Sequence, residues 1–250
     1  MGGKNTVSAS CFADVLSELI ALTSRERQAL DALEERQRHV RRGAVLQREN
    51  ESGGELFVLR KGLMMSYVIL DDGSRQILRF LFPGDMLGVS AMIYREAPET
   101  LCALSDCVVC PFDRSALSDI FSSHPRLAAM ILVYCQIERV ALTDRLAALG
   151  RTSAKARVAA LLLELRNRLR ATDKEMTNVF PLGLTQEEVG DATGLTAVHV
   201  NRMLRQLEEE GLIARDSGRV TLLDERALAR AANYVNRYTG LDLSWLPEPG

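Results

Sequence analysis

From Leu184 to Leu207 the chain reads LTQEEVGDATGLTAVHVNRMLRQL, two short amphipathic segments parted at Gly194. No other stretch restricts the fold as tightly. In the second segment Val200, Met203, Leu204 and Leu207 recur at i, i+3, i+4 and i+7, the spacing of a helix with one face in a core. Val198, Asn201, Arg202 and Arg205 fall on the opposite side, with His199 at its edge, and no acid interrupts 196–207. Glu208, Glu209 and Glu210 arrive only after that face has ended. A helix anchored on one side, with amide, imidazole and guanidinium groups on the other, is shaped to enter a major groove. The expected DNA-contacting residues of this helix are Thr196, Ala197, Val198, His199, Asn201 and Arg202, with Arg202 on guanine and Val198 and Ala197 near a thymine methyl. Arg205, Gln186 and Lys155 are expected at phosphates.

The rest of the chain sets the frame. At 250 residues it can hold two domains, and 47% hydrophobic with 26% charged residues describes an ordinary globular protein. No run of 18 apolar residues is present, and the N-terminus lacks the apolar core of a signal peptide, so a cytoplasmic protein without membrane contact is expected. Five cysteines, an odd number, suit a reducing compartment. The net charge of −2 hides a local excess: Arg151, Lys155, Arg157, Arg166, Arg168 and Arg170 face only Glu164 within 151–170. That stripe is expected to lie along phosphates. No HExxH, GxSxG, P-loop or GxGxxG occurs, and three histidines are few for acid–base work, so an enzyme is not expected.

Between Val40 and Pro111 short apolar runs are cut by turn signals about every ten residues, which predicts antiparallel strands in a roll. Pro125 opens a long helix in which Met130, Val133, Ile137 and Val140 form a heptad seam, the expected homodimer contact. A second stripe, Leu127, Ile131, Tyr134, Leu142, Leu146 and Leu149, could pack on the roll. Gly150–Ser153 is the candidate hinge. Past Gly211, LIAR and RVTLL flank Asp216-Ser217-Gly218 as a hairpin wing, and Leu223–Tyr238 is expected as a last helix. The predicted class is α+β: a jelly-roll-like β-roll sensor (1–122), a dimerisation helix with hinge (123–150), a winged helix-turn-helix (151–238) and a loose tail (239–250).

This order resembles the Crp/Fnr family of bacterial transcription regulators over roughly 15–230. Its most specific parts are FPGDMLG (Phe82–Gly88) and the LTQEEVG…GLT…VNRMLRQLEEEGLI block. The resemblance implies double-stranded DNA, a second copy of the chain and RNA polymerase as partners. It also implies an effector pocket at Gly88, Val89, Glu99 and Thr100. In the cyclic-AMP branch a glutamate stands at the position of Val89 and an Arg-Ser pair at Glu99-Thr100. A phosphate would therefore meet a like charge, and loss of the charge-assisted bond costs about 1.5–3 kcal/mol. Iron–sulfur members carry an N-terminal cysteine cluster; only Cys11 lies there. Cys102-x4-Cys107-x2-Cys110, with Cys135, has a ferredoxin-like spacing, but Cys102 and Cys110 sit in apolar strands. Thiol redox sensing by one of the cysteines is a further option. Haem would need His39, His124 or His199. The expectation is no metal and no cofactor, as in family members that act without one. Members reading TGTGA or TTGAT half-sites use a glutamate where Val198 stands, while their shared arginine is kept as Arg202.

Overall fold

The computed structural model describes residues 11–52, 55–173 and 175–248. Helices α1 (Cys11–Ser17) and α2 (Ser24–Asp31) precede the strands β1 (Arg38–Val40), β2 (Val45–Gln47), β3 (Leu56–Lys61) and β4 (Met64–Ile69). Next come β5 (Arg75–Leu81), β6 (Met86–Leu87), β7 (Thr100–Ala103) and β8 (Cys107–Phe112). Helices α3 (Arg114–Ser123), α4 (Pro125–Arg151) and α5 (Ala154–Thr172) follow. The C-terminal part holds β9 (Val179–Pro181), α6 (Gln186–Thr193), α7 (Ala197–Glu209), β10 (Ile213–Asp216), β11 (Arg219–Leu222) and α8 (Glu225–Ala232). The fold is α+β, as expected.

The first eight strands make two antiparallel sheets, ordered β1-β8-β3-β6 and β2-β7-β4-β5. Strand β3 shows why they stack. Alternation sends Phe57 and Leu59 between the sheets with Met64, Leu101 and Val109, and Leu56 and Val58 outward to Phe12, Leu127 and Tyr134. The second sheet has a different neighbour. Met65, Ile77, Phe80 and Phe82 share a core with Val158, Leu162 and Leu165 of α5 and with Val189 and Leu204 of the helix-turn-helix. The two expected domains are therefore packed on each other. Arg75 ion-pairs with Asp191 at 2.7 Å, and Gln76 Nε2 donates to the Asp191 carbonyl at 2.8 Å.

Helix α4 starts at Pro125, where a missing N–H costs nothing. Leu127, Met130, Ile131, Tyr134 and Ile137 are buried on the roll side, and Phe12 meets Tyr134 edge-on at 5.9 Å. Each such burial contributes about 1.5–3 kcal/mol. This corrects the expected dimer seam. Met130 and Ile137 are buried within their own chain, while Val133 and Val140 are half-buried. The apolar residues facing outward are Leu132, Leu142 and Leu146, at 55%, 40% and 71% exposure. Both stripes have helical period, and α1 with the roll claims the first.

The hinge is short: Thr152 ends α4, and Ser153 caps α5 by accepting from the Ala156 N–H at 3.2 Å. Helix α8 also stops earlier than expected, at Asn233 in the left-handed region (φ 51°), which asparagine tolerates. Beyond it the chain runs back across the molecule. Asn167 donates to Tyr234 Oη at 3.1 Å, Arg237 grips Asp144 at 2.6 and 3.0 Å, and Leu246 is buried beside Phe12 and Leu16. In place of the loose tail at 239–250, the described part of this segment is a strap. Leu243 and Leu246 supply its apolar contacts.

A buried polar network joins the layers. Asp85 accepts from the Phe82 N–H at 2.8 Å and Tyr134 Oη at 2.5 Å, and it ion-pairs with Arg168 of α5. Arg168 also reaches Glu138 at 3.1 Å and Tyr238 Oη at 2.6 Å, and its guanidinium covers the Phe82 ring. Burial, reinforced by the Asp85 charge, holds the Tyr134 phenol well above its ordinary pKa, so it donates.

Candidate nucleic-acid interface

Local sequence builds this site with few long-range demands. Thr185 caps α6 by accepting from the Glu188 N–H at 3.1 Å, and the Glu188 carboxylate accepts from the Thr185 N–H at 2.7 Å. Gly194 closes α6 in the left-handed region. Gly190 is needed for a different reason: a Cβ there would lie 2.4 Å from the Leu195 carbonyl oxygen, so the turn folds directly onto the helix backbone. Thr196 caps α7, accepting from the His199 N–H at 3.3 Å. The apolar face of α7 is buried at Val200, Met203, Leu204 and Leu207.

On the outer face Val198 is 81% exposed, and Thr196, Arg202 and Arg205 are exposed beside it. Ala197, His199 and Asn201 are half-buried, and Gln186 is exposed at the start of α6. The Arg202 guanidinium rests on His199 Nε2, which must be the unprotonated ring nitrogen to accept. Among the described residues neither Arg202 nor Arg205 forms a salt bridge, and Arg205 acts on Glu208 only at longer range, helping to lower its pKa. The wing forms as β10-β11-β9, the strand β9 being unforeseen, and its turn has positive φ at Ser217 and Gly218. Arg215 ties the wing to α7 through Glu208 at 2.6 Å. Arg219, at the wing turn, is exposed; only its hairpin position in the sequence could have marked it.

The basic stripe over 151–170 divides, with Arg166 and Arg168 buried and Lys155 and Arg157 half-buried. Arg166 is buried against Glu225, Arg168 belongs to the Asp85 network, and Lys155 is held by both Glu210 oxygens at 2.7 and 2.8 Å. Arg151 and Arg170 alone of the six are exposed.

Of the four effector-pocket residues, Glu99 and Thr100 have side-chain partners. Gly88 has φ 70°, and a Cβ there would meet the Glu55 carbonyl at 2.8 Å. Val89 begins a short 3-10 turn to Met92. Thr100 Oγ1 accepts from the Glu49 N–H at 3.0 Å. The Glu99 carboxylate lies 3.9 Å from Arg79, which is shared with Glu138 at 3.5 Å. Burial works against the Arg79 charge, but Glu99, Glu138 and Asp85 overcome it and raise its pKa. Carboxylates thus flank the guanidinium beside Glu99.

The cysteines are scattered. Cys102, Cys107 and Cys110 enter three different apolar clusters, and no group of metal-ligating residues is found among the described residues. Burial raises all five thiols, Cys11 to about 11, which leaves them protonated and poor nucleophiles.

A roll joined by a long helix to a winged helix-turn-helix is the architecture of a two-domain transcription regulator. Residues 37–124 match the cyclic nucleotide-binding domain and residues 156–231 the Crp-like helix-turn-helix domain. The chain belongs to the Crp/Fnr family, whose members are regulators and not enzymes. It is 27% identical to the anaerobic regulatory protein of Haemophilus influenzae, over 91% of this chain and 88% of that one. It is 28% identical to the transcriptional activator protein anr of Pseudomonas aeruginosa, over 85% and 87%. The solved structure of FixK2 from Bradyrhizobium japonicum superposes with a TM-score of 0.71 at 26% identity, covering 80% of this chain and 98% of that one. Among the described residues no helix is long and apolar enough to cross a membrane.

Proposed function

We propose that this chain is a sequence-specific transcription factor that binds a two-fold symmetric operator as a homodimer, works with RNA polymerase, and does not use cyclic AMP as its effector. The observation that carries the reading is the outer face of α7, where Val198, Arg202 and Arg205 are exposed and no acid is present from Thr196 to Leu207. Thr196, Ala197, His199 and Asn201 complete the reading face, with Gln186 and Arg219 at phosphates. Lys155, held by Glu210, is a weaker phosphate ligand. Selection from random DNA should return half-sites about one helical turn apart. Enrichment of single, asymmetric sites would overturn the proposal.

Dimerisation is assigned to Leu132, Leu142 and Leu146, since exposed leucines at helical spacing on a 27-residue helix are the apolar face left uncovered. The double variant Leu142→Asp/Leu146→Asp should sediment as a folded monomer. Ile137→Asp should instead lower the melting temperature, because the new charge would be buried within the chain. A dimer that survives the leucine changes would refute the seam.

Cyclic nucleotides give the second expectation. Calorimetry with cyclic AMP and cyclic GMP should show no saturable binding, because Glu99 stands at the clamp and Arg79 is already paired. A dissociation constant below about 10 μM, roughly −7 kcal/mol, would mean that the pocket rearranges.

A further inference from the structure

A cleft of about 410 Å³, within the range of small-molecule sites, opens where α4, α5, α6 and the strap meet. Its body is apolar: Ala148 and Leu149 from α4, Ala160 and Leu161 from α5, Ala192 from α6 and Val235 from the strap. Its charge is one-sided. Arg145, Arg151, Arg157 and Arg237 line it against Asp144 and Glu164, and Asp144 is consumed by Arg237.

Two of these arginines, Arg145 and Arg157, are half-buried and lack the close carboxylate that the fully buried arginines have. Arg126 has Glu26 at 2.7 Å, Arg166 has Glu225 and Arg168 has Asp85. Arg145 lies 3.9 Å from Glu164, beyond hydrogen-bond reach, donates to the Ala192 carbonyl at 3.3 Å and covers the Phe80 ring at 5.6 Å. Arg157 donates to the Leu149 carbonyl at 3.5 Å. Arg145 Nη1 and Arg157 Nε are buried without a hydrogen-bond partner, as are Arg126 Nε, Arg166 Nε and Arg215 Nε outside the cleft, so what sets the first two apart is the lack of a close carboxylate. A buried guanidinium donor left unmade is costly, and a carboxylate oxygen is its strongest complement.

We infer that this cleft is a ligand site for a small apolar molecule bearing one carboxylate, the carboxylate turned to Arg145 and Arg157 and the body laid on Ala148, Ala160 and Val235. The site lies outside the roll pocket and does not depend on DNA binding. It touches the elements on both sides of the hinge and the strap that crosses it, so occupancy would fix their relative placement.

The test uses the full chain and 4-phenylbutyrate as probe, followed by protein chemical shifts and calorimetry. The neutral 4-phenylbutanol and the bare anion acetate are the two controls. Saturable binding of 4-phenylbutyrate, with both controls weaker by about tenfold or more, is expected. Equal binding of the alcohol, equal binding of acetate, or no saturable binding of the acid each refutes the site. Ala160→Trp and Val235→Trp fill the cleft without altering charge, and Val235 is exposed enough to accept the larger ring. Each should reduce affinity at least about tenfold while thermal unfolding stays cooperative and the fold intact. Wild-type affinity in the folded Val235→Trp variant would place the ligand elsewhere.

Discussion

Arg168→Met should lower the stability of the chain by about 3–5 kcal/mol, more than any other single substitution proposed. The substitution keeps the packing over Phe82 but leaves Asp85, 1% exposed, with no cation in contact. Tyr134 and the Phe82 N–H still donate to that carboxylate, yet neither offsets its charge. Glu138 loses the same guanidinium and keeps only Arg79 at 3.5 Å as a cation. Urea unfolding of the variant, compared with Asp85→Leu and with the double variant, measures the coupling directly. The double variant should be markedly more stable than the sum of the two single losses, because neither charge is then stranded. A loss near 1 kcal/mol for Arg168→Met, typical of a surface pair, would show that the network does not hold the two domains together.

Arg202→Ala should weaken binding to the selected operator by about 1–3 kcal/mol and relax the preference for one guanine in each half-site. Its guanidinium is supported by His199 on the same face and is not tied to an acid, so it is free to fork onto guanine O6 and N7. Arg205→Ala should behave differently, weakening all sequences alike and flattening the salt dependence by roughly one unit for each phosphate no longer neutralised. Lys155→Ala should have a smaller effect of that kind, since Glu210 already neutralises it. The readout is binding measured at several salt concentrations on the operator and on single-base variants. Equal losses on every sequence for Arg202→Ala would move that residue to the phosphates. Val198→Glu adds a cytosine acceptor at an 81% exposed position and should shift the preferred site towards TGTGA or TTGAT.

The helix-turn-helix was legible because each of its decisions is local. Thr185 and Thr196 cap within three residues, Gly194 ends a helix, and the two faces of α7 follow from one period. The roll was legible from its turn spacing, though not its strand order, which depends on pairings as distant as β1 with β8. What the sequence could not reveal is which partner a residue meets across the fold. Arg166 and Arg168 read as a phosphate-facing stripe because their neighbours are basic, but their carboxylates come from Glu225 and Asp85. Met130 and Ile137 have the period of a dimer seam, and so do Leu142 and Leu146. Only the position of Phe12 and the roll decides between the faces. The strap was hidden because two leucines in a polar segment carry no period at all.

The core shared between the second sheet and the winged domain bears on how this regulator could acquire a new target. Its sequence invites exchange of modules at Thr152-Ser153, where only a cap separates two helices. Yet Phe80 and Phe82 would then face a foreign α5, and Asp191 would have to find Arg75 again. Specificity in this chain is therefore more readily altered by substituting residues on the outer face of α7 than by transplanting the domain that carries it.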